Sequence, residues 1–345
     1  MHISEFDYEL PEDLIAQQPL EKRDSSRMLV LDRANQTWSD SLFNRFPEHL
    51  RQTDVVVVNN SRVIPARLSG RRAETGGAVE VFLVRELGSQ VWEALVRPGG
   101  RLKQGARVVF GNEEMIGELL DEPGHELRQV RFECEGRFED ALAELGSTPL
   151  PPYIKRPGGN VHADRERYQT IYSKSPGAIA APTAGLHFTD DVLAEVRSRA
   201  SVAEVTLHVG YGTFEPVRVE DVDQHSVSSE RFTISDETAK TINGARTNGG
   251  RVIVVGTTTM RALESSATGE EGLLQATSGE ASLTIKPGYR FRVADALLTN
   301  FHLPRSSLLV LVSAFAGREL VLRAYRHAVQ QRYRFYSYGD CMLIL

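Results

Sequence analysis

Cysteine is nearly missing: Cys134 and Cys341 are the only two in 345 residues, far apart and without CxxC or Cys/His ligand spacing. That excludes a disulfide framework and a structural zinc site, and two buried free thiols in a reducing cytoplasm are expected. No stretch approaches the ~18 apolar residues of a membrane span. Met1 to Leu20 is acidic and broken by Pro11, with no basic start leading into an apolar run, so neither a signal nor a transit peptide is expected. The phosphate cradles GxGxxG and GxxxxGK(S/T) do not occur, which speaks against a diphosphate or triphosphate ligand. The nine histidines contain no HExxH, and no metal is expected. An overall positive charge is lacking too, since the net charge is −6. It is unevenly placed, however: Phe301 to Leu345 holds six arginines against Glu319 and Asp340, a net +4. A local basic surface fits an acidic whole.

What is present is globular composition, 41% apolar and 25% charged, with room for about two domains. Asp54 to Arg62 is an uninterrupted β-branched run ending in Asn59, Asn60 and Arg62. It reads as a fully buried strand of an α/β sheet, with those polar residues at the end where ligands sit, or closing a turn. After Pro65 the texture changes. Glu80 to Val84, Val91 to Val96, Arg107 to Phe110, Ile116 to Leu120 and Gln129 to Cys134 are short alternating runs between turns. Five strands at about ten-residue spacing predict a small barrel or sandwich. A helix over Phe138 to Leu145 and the prolines at 149, 151 and 152 close it. The expected fold class is therefore α/β, with a mixed sheet domain (1–65 and 149–345) interrupted by a small inserted β-barrel (66–148).

From Leu150 the chain is dense in chemistry-bearing residues. Gly177 to Arg199 runs from small residues through Thr183, Gly185 and His187 into a helix with Thr189 as N-cap and Asp190 and Asp191 in its first turn. This is either a tight corner or a ligand loop at a helix N-terminus. Gly210 and Gly212, flanking Tyr211, suggest backbone brought close to a ligand, or a bulge. Arg251 to Glu264 reads as strand, Gly-Thr turn and helix, aiming N–H groups and the Thr257 and Thr258 hydroxyls over a sheet edge. Leu283 to Val293 reads as a hairpin turning at Pro287-Gly288. Ser306 or Ser307 caps a helix to Ala316, and Glu319 to Gln331 is a second helix with Arg323, Arg326 and His327 outward. That face either meets water or meets RNA. Tyr333 to Asp340 interleaves Arg334 with Phe335, Tyr336 and Tyr338, which favours a stacking surface for bases.

These motifs together resemble one family. Ala-Ala-Pro-Thr-Ala-Gly-Leu-His-Phe-Thr (180–189), Leu-His-Val-Gly-x-Gly-Thr-Phe-x-Pro-Val (207–217), Val-Gly-Thr-Thr-x-x-Arg-x-Leu-Glu (255–264), Thr-Asn-Phe-His-Leu-Pro (299–304) and Arg-Phe-Tyr-Ser-Tyr-Gly-Asp (334–340) look like the QueA family. These are the S-adenosylmethionine:tRNA ribosyltransferase-isomerases of queuosine biosynthesis. The resemblance implies an enzyme that moves the ribosyl part of S-adenosylmethionine onto 7-aminomethyl-7-deazaguanine at the tRNA wobble position. Epoxyqueuosine would form, with adenine and methionine released. It implies a cytoplasmic protein, expected as a monomer, with S-adenosylmethionine as ribosyl donor and tRNA as partner. One departure stands out: His225-Ser-Val-Ser-Ser-Glu230 has Ser228 where the family's second histidine is expected.

The chemistry implied needs a base, a donor for departing adenine and stabilisation of an oxyanion. The catalytic candidates are His187, His208, His225 and Glu230. His187 is the first candidate base, kept neutral by the helix N-terminus beside it. Thr183, Gly185, Gly210, Gly212, Thr257, Thr258, Arg261, Asn300 and His302 are expected around the cofactor, with Arg261 and the threonine hydroxyls suited to its carboxylate or to an oxyanion. The tRNA is expected on Asn59, Asn60, Arg62, Asp164, Arg165, Tyr168, Arg323 and Arg326, and on Arg334, Phe335, Tyr336, Tyr338 and Asp340. Two other readings remain at this stage, a non-catalytic tRNA-binding module and a nucleoside or phosphoribosyl transferase acting on a free base.

Overall fold

The computed structural model describes residues 1–88, 90–156, 162–214, 217 and 219–345. Its centre is a nine-stranded mixed sheet in the order Thr277–Ala281, Glu230–Ile234, Ser201–Leu207, Val55–Asn59, Val252–Val255, Ala296–Asn300, Cys341–Ile344, Arg27–Asp32, Thr37–Leu42. The four strands from Ser201–Leu207 to Ala296–Asn300 are mutually parallel. Cys341–Ile344 runs antiparallel to Ala296–Asn300 and parallel to Arg27–Asp32. The Val-rich runs are central because both faces are covered: Val55 and Val57 enter one core, Val56 and Val58 the other. Period-two alternation is invisible in such a strand, since both sets are apolar. Helix Asp190–Arg199 covers one face through Val192, Leu193 and Val196. Helices Thr257–Ser266, Ser307–Ala316 and Arg318–Gln330 cover the other.

The inserted barrel is closed, with six antiparallel strands. Arg67–Arg72, Ala78–Gly88, Val91–Arg97, Arg128–Cys134, Met115–Leu119 and Arg107–Phe110 follow in that order, and the last pairs back onto the first. Five of these match the expected strands. Arg67–Arg72 was missed, because Arg-Leu-Ser-Gly-Arg-Arg shows one apolar residue where a half-buried strand usually shows three. Its Gly70 explains the closure: a Cβ there would stand 2.7 Å from the Phe110 ring and 2.8 Å from Val108. Helix Phe138–Leu145 packs on the barrel core as expected.

Two further expectations change. Pro287-Gly288 does turn the chain, with Tyr289 N donating to Lys286 O, but no hairpin flanks it. The N–H groups of Arg292, Val293 and Ala294 go to the buried Glu264 carboxylate, so they do not enter a ladder. Cys341 is buried, whereas Cys134 is half-buried at the barrel edge. No described helix is long and apolar enough to cross a membrane.

Candidate active site

The parallel strands all end on one side, and the motif residues follow directly: Asn59-Asn60, His208 to Gly212, Gly256 to Thr258 and Asn300 to His302. Ligands of open α/β sheets bind at that edge. A first cleft there, about 580 Å³ with its open mouth included, is walled by Thr183, Gly256, Thr257, Thr258, Asn300 and His302, with Tyr153, Tyr168 and Tyr336 opposite. A second, about 560 Å³, lies beyond Thr257 and Thr258 and is walled by Gly212, His225, Glu230, Arg261, Thr284 and Lys286. The third is an open groove of about 1210 Å³ between the sheet edge (His208, Gly210, Gly212, Glu230) and the barrel (Arg85, Glu93, Glu126). Thr257 and Thr258 join the first cleft to the second, and Gly212, Ser228 and Glu230 join the second to the third.

In the first cleft Thr258 Oγ1 is buried without a hydrogen-bond partner, while Asn300 faces the His187 ring. Asn300 is held by its amide nitrogen, which donates to Tyr336 O at 2.8 Å. Tyr153 and Tyr336 meet edge to face at 3.9 Å, and the Tyr153 hydroxyl is tied to Ser337. His302 is buried, with Nε2 3.0 Å from Thr299 Oγ1, and burial holds its imidazole down at about 3. Such a cleft offers stacking faces and one open hydroxyl, the complement of a flat heterocycle.

In the second and third clefts a buried ion pair sets the geometry. Arg261 Nη1 donates to Glu230 Oε2 at 2.5 Å, and its other donors reach the carbonyls of Ser228, Ala281 and Leu283. Glu230 Oε1 accepts from Gly210 N at 2.9 Å. Arg261 is thus a clamp on the cleft wall, and its expected role on the cofactor carboxylate gives way to that. His208 is half-buried beside Gly177, and burial lowers its pKa, so it is neutral at physiological pH.

His187 lies elsewhere. It ends the 3₁₀ turn Thr183–His187 whose start walls the first cleft, but its own ring borders a separate recess of about 310 Å³ with Arg23, Ser26 and Tyr338. Its Nδ1 is 2.7 Å from Ser26 Oγ, its ring packs 5.3 Å from Phe43, and Asn300 adjoins it. Burial, which lowers its pKa to about 4, keeps it neutral. The expected cause, the neighbouring helix N-terminus, is closed: Thr189 Oγ1 accepts from Val192 N and donates to Asp24. Gly185 is a packing position, since a Cβ there would meet the Tyr172 hydroxyl at 2.2 Å.

Several expected tRNA residues turn out to be architectural. Asn59 is spent on Leu207 and Ser61, and Asn60 on Glu204 and Thr206. Asp164 is buried, accepts from Arg156 at 2.8 and 2.9 Å and from the Tyr338 hydroxyl at 3.2 Å. Asp340 accepts from the backbone N–H of Arg27 and Arg334. The stacking-surface expectation is corrected most: Tyr333 and Phe335 are fully buried around Phe301, and Tyr338 packs on buried Tyr168. Only Tyr336 reaches a cleft wall half-exposed. Arg334, half-buried, donates to Gln18 O. Arg62, Arg165, Arg323 and Arg326 are exposed. Glu215 and Pro216 of the 207–217 motif lie outside the described residues. Tyr153, Ser337 and Lys286 were missed, although the Pro-Pro-Tyr segment was a visible signal for the first.

A mixed α/β sheet with joined clefts at the ends of its parallel strands and a closed barrel beside it has the build of an enzyme that takes its ligand at the sheet edge. The profile of the family described as queuosine biosynthesis protein matches residues 3–344. The chain belongs to that family. It is also similar to the crystal structure of an S-adenosylmethionine tRNA ribosyltransferase from Thermotoga maritima, at 37% identity over 99% of this chain and 100% of that one, with a TM-score of 0.57.

Proposed function

We propose that this chain is a transferase that moves and isomerises the ribosyl part of S-adenosylmethionine onto 7-aminomethyl-7-deazaguanine at the tRNA wobble position. Epoxyqueuosine-tRNA is the product, and adenine and methionine leave. Family membership over the whole chain supports this, and the observation that carries the donor reading is the first cleft, where the Tyr153 and Tyr336 rings stand across from Thr257 and Thr258. Those rings suit the flat face of adenine. The donor supplies a sulfonium, which acidifies its neighbouring carbon. The chain supplies orientation through Tyr153, Tyr336 and Thr258, and a neutral base. His208 replaces His187 as the first candidate base, because it borders the open groove while His187 touches the first cleft only through Asn300.

The test is adenine release from S-adenosylmethionine and tRNA bearing the deazaguanine amine. His208→Gln is expected to slow it by about 10²–10⁴-fold, the contribution of a positioned base. Undiminished release would remove His208 from the chemistry.

The reading also takes the protein to be a cytoplasmic monomer whose barrel, 66–148, folds as a unit inserted between 1–65 and 149–345. The tRNA would approach over the exposed face of helix Arg318–Gln330. There Arg323 lies 5.6 Å over Trp38 and Arg326 is exposed with no salt-bridge partner among the described residues. Replacing both with alanine is expected to weaken tRNA binding uniformly and reduce the log–log salt slope by about 2. An unchanged slope measured by filter binding would return this face to solvent.

A further inference from the structure

The helix Thr257–Ser266 begins without a cap. Gly256, at φ +91°, fills the N-cap position with no side chain to offer, and the first intrahelical bond runs from Met260 N to Gly256 O. Among the described residues the N–H groups of Thr257, Thr258 and Thr259 have no acceptor, so they present the positive end of the helix dipole. This N-terminus is also the partition between the first and second clefts, because Thr257 and Thr258 wall both.

A second observation is independent of the helix. Thr258 is 7% exposed, and its Oγ1 is buried without a hydrogen-bond partner. Its neighbour shows the ordinary alternative: Thr259 Oγ1 donates to Val255 O at 2.7 Å, the bond by which helical threonines satisfy themselves. A hydroxyl left open beside three open N–H groups is a donor set waiting for an acceptor. Arg261, one turn on, is taken by Glu230 and three carbonyls and supplies no competing site.

The geometry points to a carboxylate subsite at this partition, taking the α-carboxylate of the donor's amino-acid tail. The inference rests on the donor reading above. The carboxylate accepts from the N–H groups of Thr257 to Thr259 and from the Thr258 hydroxyl, while the adenine half lies in the first cleft against Tyr153 and Tyr336. The absence of any phosphate-binding loop fits a ligand whose one anionic group is a carboxylate. With the carboxylate held at the partition and adenine in the first cleft, the sulfonium lies between them, on the first-cleft side of Thr258.

The experiment is calorimetric binding of S-adenosylmethionine and of decarboxylated S-adenosylmethionine to the full chain and to Thr258→Val. The second ligand keeps the adenosine, sulfonium and amine and lacks only the carboxylate. Thr258→Val is expected to weaken S-adenosylmethionine about tenfold, the fold-change of one lost bond to a charged group, and to leave the decarboxylated ligand within about twofold. Thr258→Ser, which keeps the hydroxyl, is expected to bind as the unsubstituted chain does. Equal weakening of both ligands, or of neither, overturns the carboxylate subsite and leaves the donor reading standing. Failure of the unsubstituted chain to bind S-adenosylmethionine overturns both.

Discussion

Taking the protein from pH 7 to pH 5 is expected to remove about 4 kcal/mol of folding stability through two buried imidazoles alone. His187 and His302 are 4% and 5% exposed, and burial lowers them to about 4 and about 3. Both values lie below the 6.5 of an unfolded histidine. Below pH 6.5 the unfolded chain therefore takes up protons that the folded chain refuses, and stability falls until the folded values are reached. At pH 5 each residue has lost about 1.5 pH units of linkage, or about 2 kcal/mol. Asp54, Asp40 and Glu204 are lowered too, their hydrogen-bond and charge partners outweighing burial, and their share is lost only at lower pH, because the carboxylates of the unfolded chain stay ionised down to about 4.5. His49 and His208, also lowered by burial, act in the same direction as the main pair. Urea midpoints at pH 7, 6 and 5 measure the loss. Proton uptake on unfolding at pH 5.5 should be about two or more, and His302→Gln should remove about one of those protons. A flat profile between pH 7 and 5 would mean that both rings are solvated.

The second large effect belongs to the clamp. Arg261→Met is expected to cost about 3–5 kcal/mol, because it removes the guanidinium charge from beside the buried Glu230 carboxylate. The carbonyls of Ser228, Ala281 and Leu283 lose their donors in the same substitution. Replacing both partners, as Arg261→Met with Glu230→Leu, should cost markedly less, since no uncompensated charge remains. Chemical denaturation of the single and double variants separates the two cases. A single-variant loss below about 0.5 kcal/mol, the scale of an exposed substitution, would place the pair in solvent. Adenine release should fail in both variants where they stay folded, because Gly210 then has no fixed carboxylate to hold the groove wall.

The contrast between these two effects shows where sequence reasoning reached. Val55 to Val58 announced a buried strand of an α/β sheet, and Arg251 to Glu264 a strand, a Gly-Thr turn and a helix. Both follow from local chemistry, and the two strands and the helix are found. What a chain cannot display is which of its polar groups will be spent on its own backbone. Asn59, Asn60, Asp164 and Asp340 look like ligand residues in a sequence, yet Asn59 and Asp340 are consumed by backbone groups and Asn60 and Asp164 by the side chains of Glu204, Thr206, Arg156 and Tyr338. Tyr333, Phe335 and Tyr338 misled for the same reason, since an aromatic beside an arginine reads as a stacking surface until Phe301 and Tyr168 are known to cover it. The two helix starts make the point within one motif type. Thr189 closes its helix with its own hydroxyl, and Gly256 leaves its helix open, so the open end lay in the Gly-Thr turn and not in the more conspicuous loop before it.

The order of strands also governs how the chain is made. Among the described residues the hairpin Arg27–Asp32 and Thr37–Leu42 pairs with the rest of the sheet only through Cys341–Ile344, which pairs Met28 with Cys341 on one side and Asn300 with Cys341 on the other. Some three hundred residues separate the hairpin from its only bridge. During translation the hairpin is therefore synthesised early and must wait, unjoined, until residue 344 has cleared the ribosome tunnel. Closing a contact of that span makes it among the slowest steps of assembly. A nascent chain halted between Asn300 and Cys341 would expose the edges of Arg27–Asp32 and Ala296–Asn300 together, two templates for pairing with another copy.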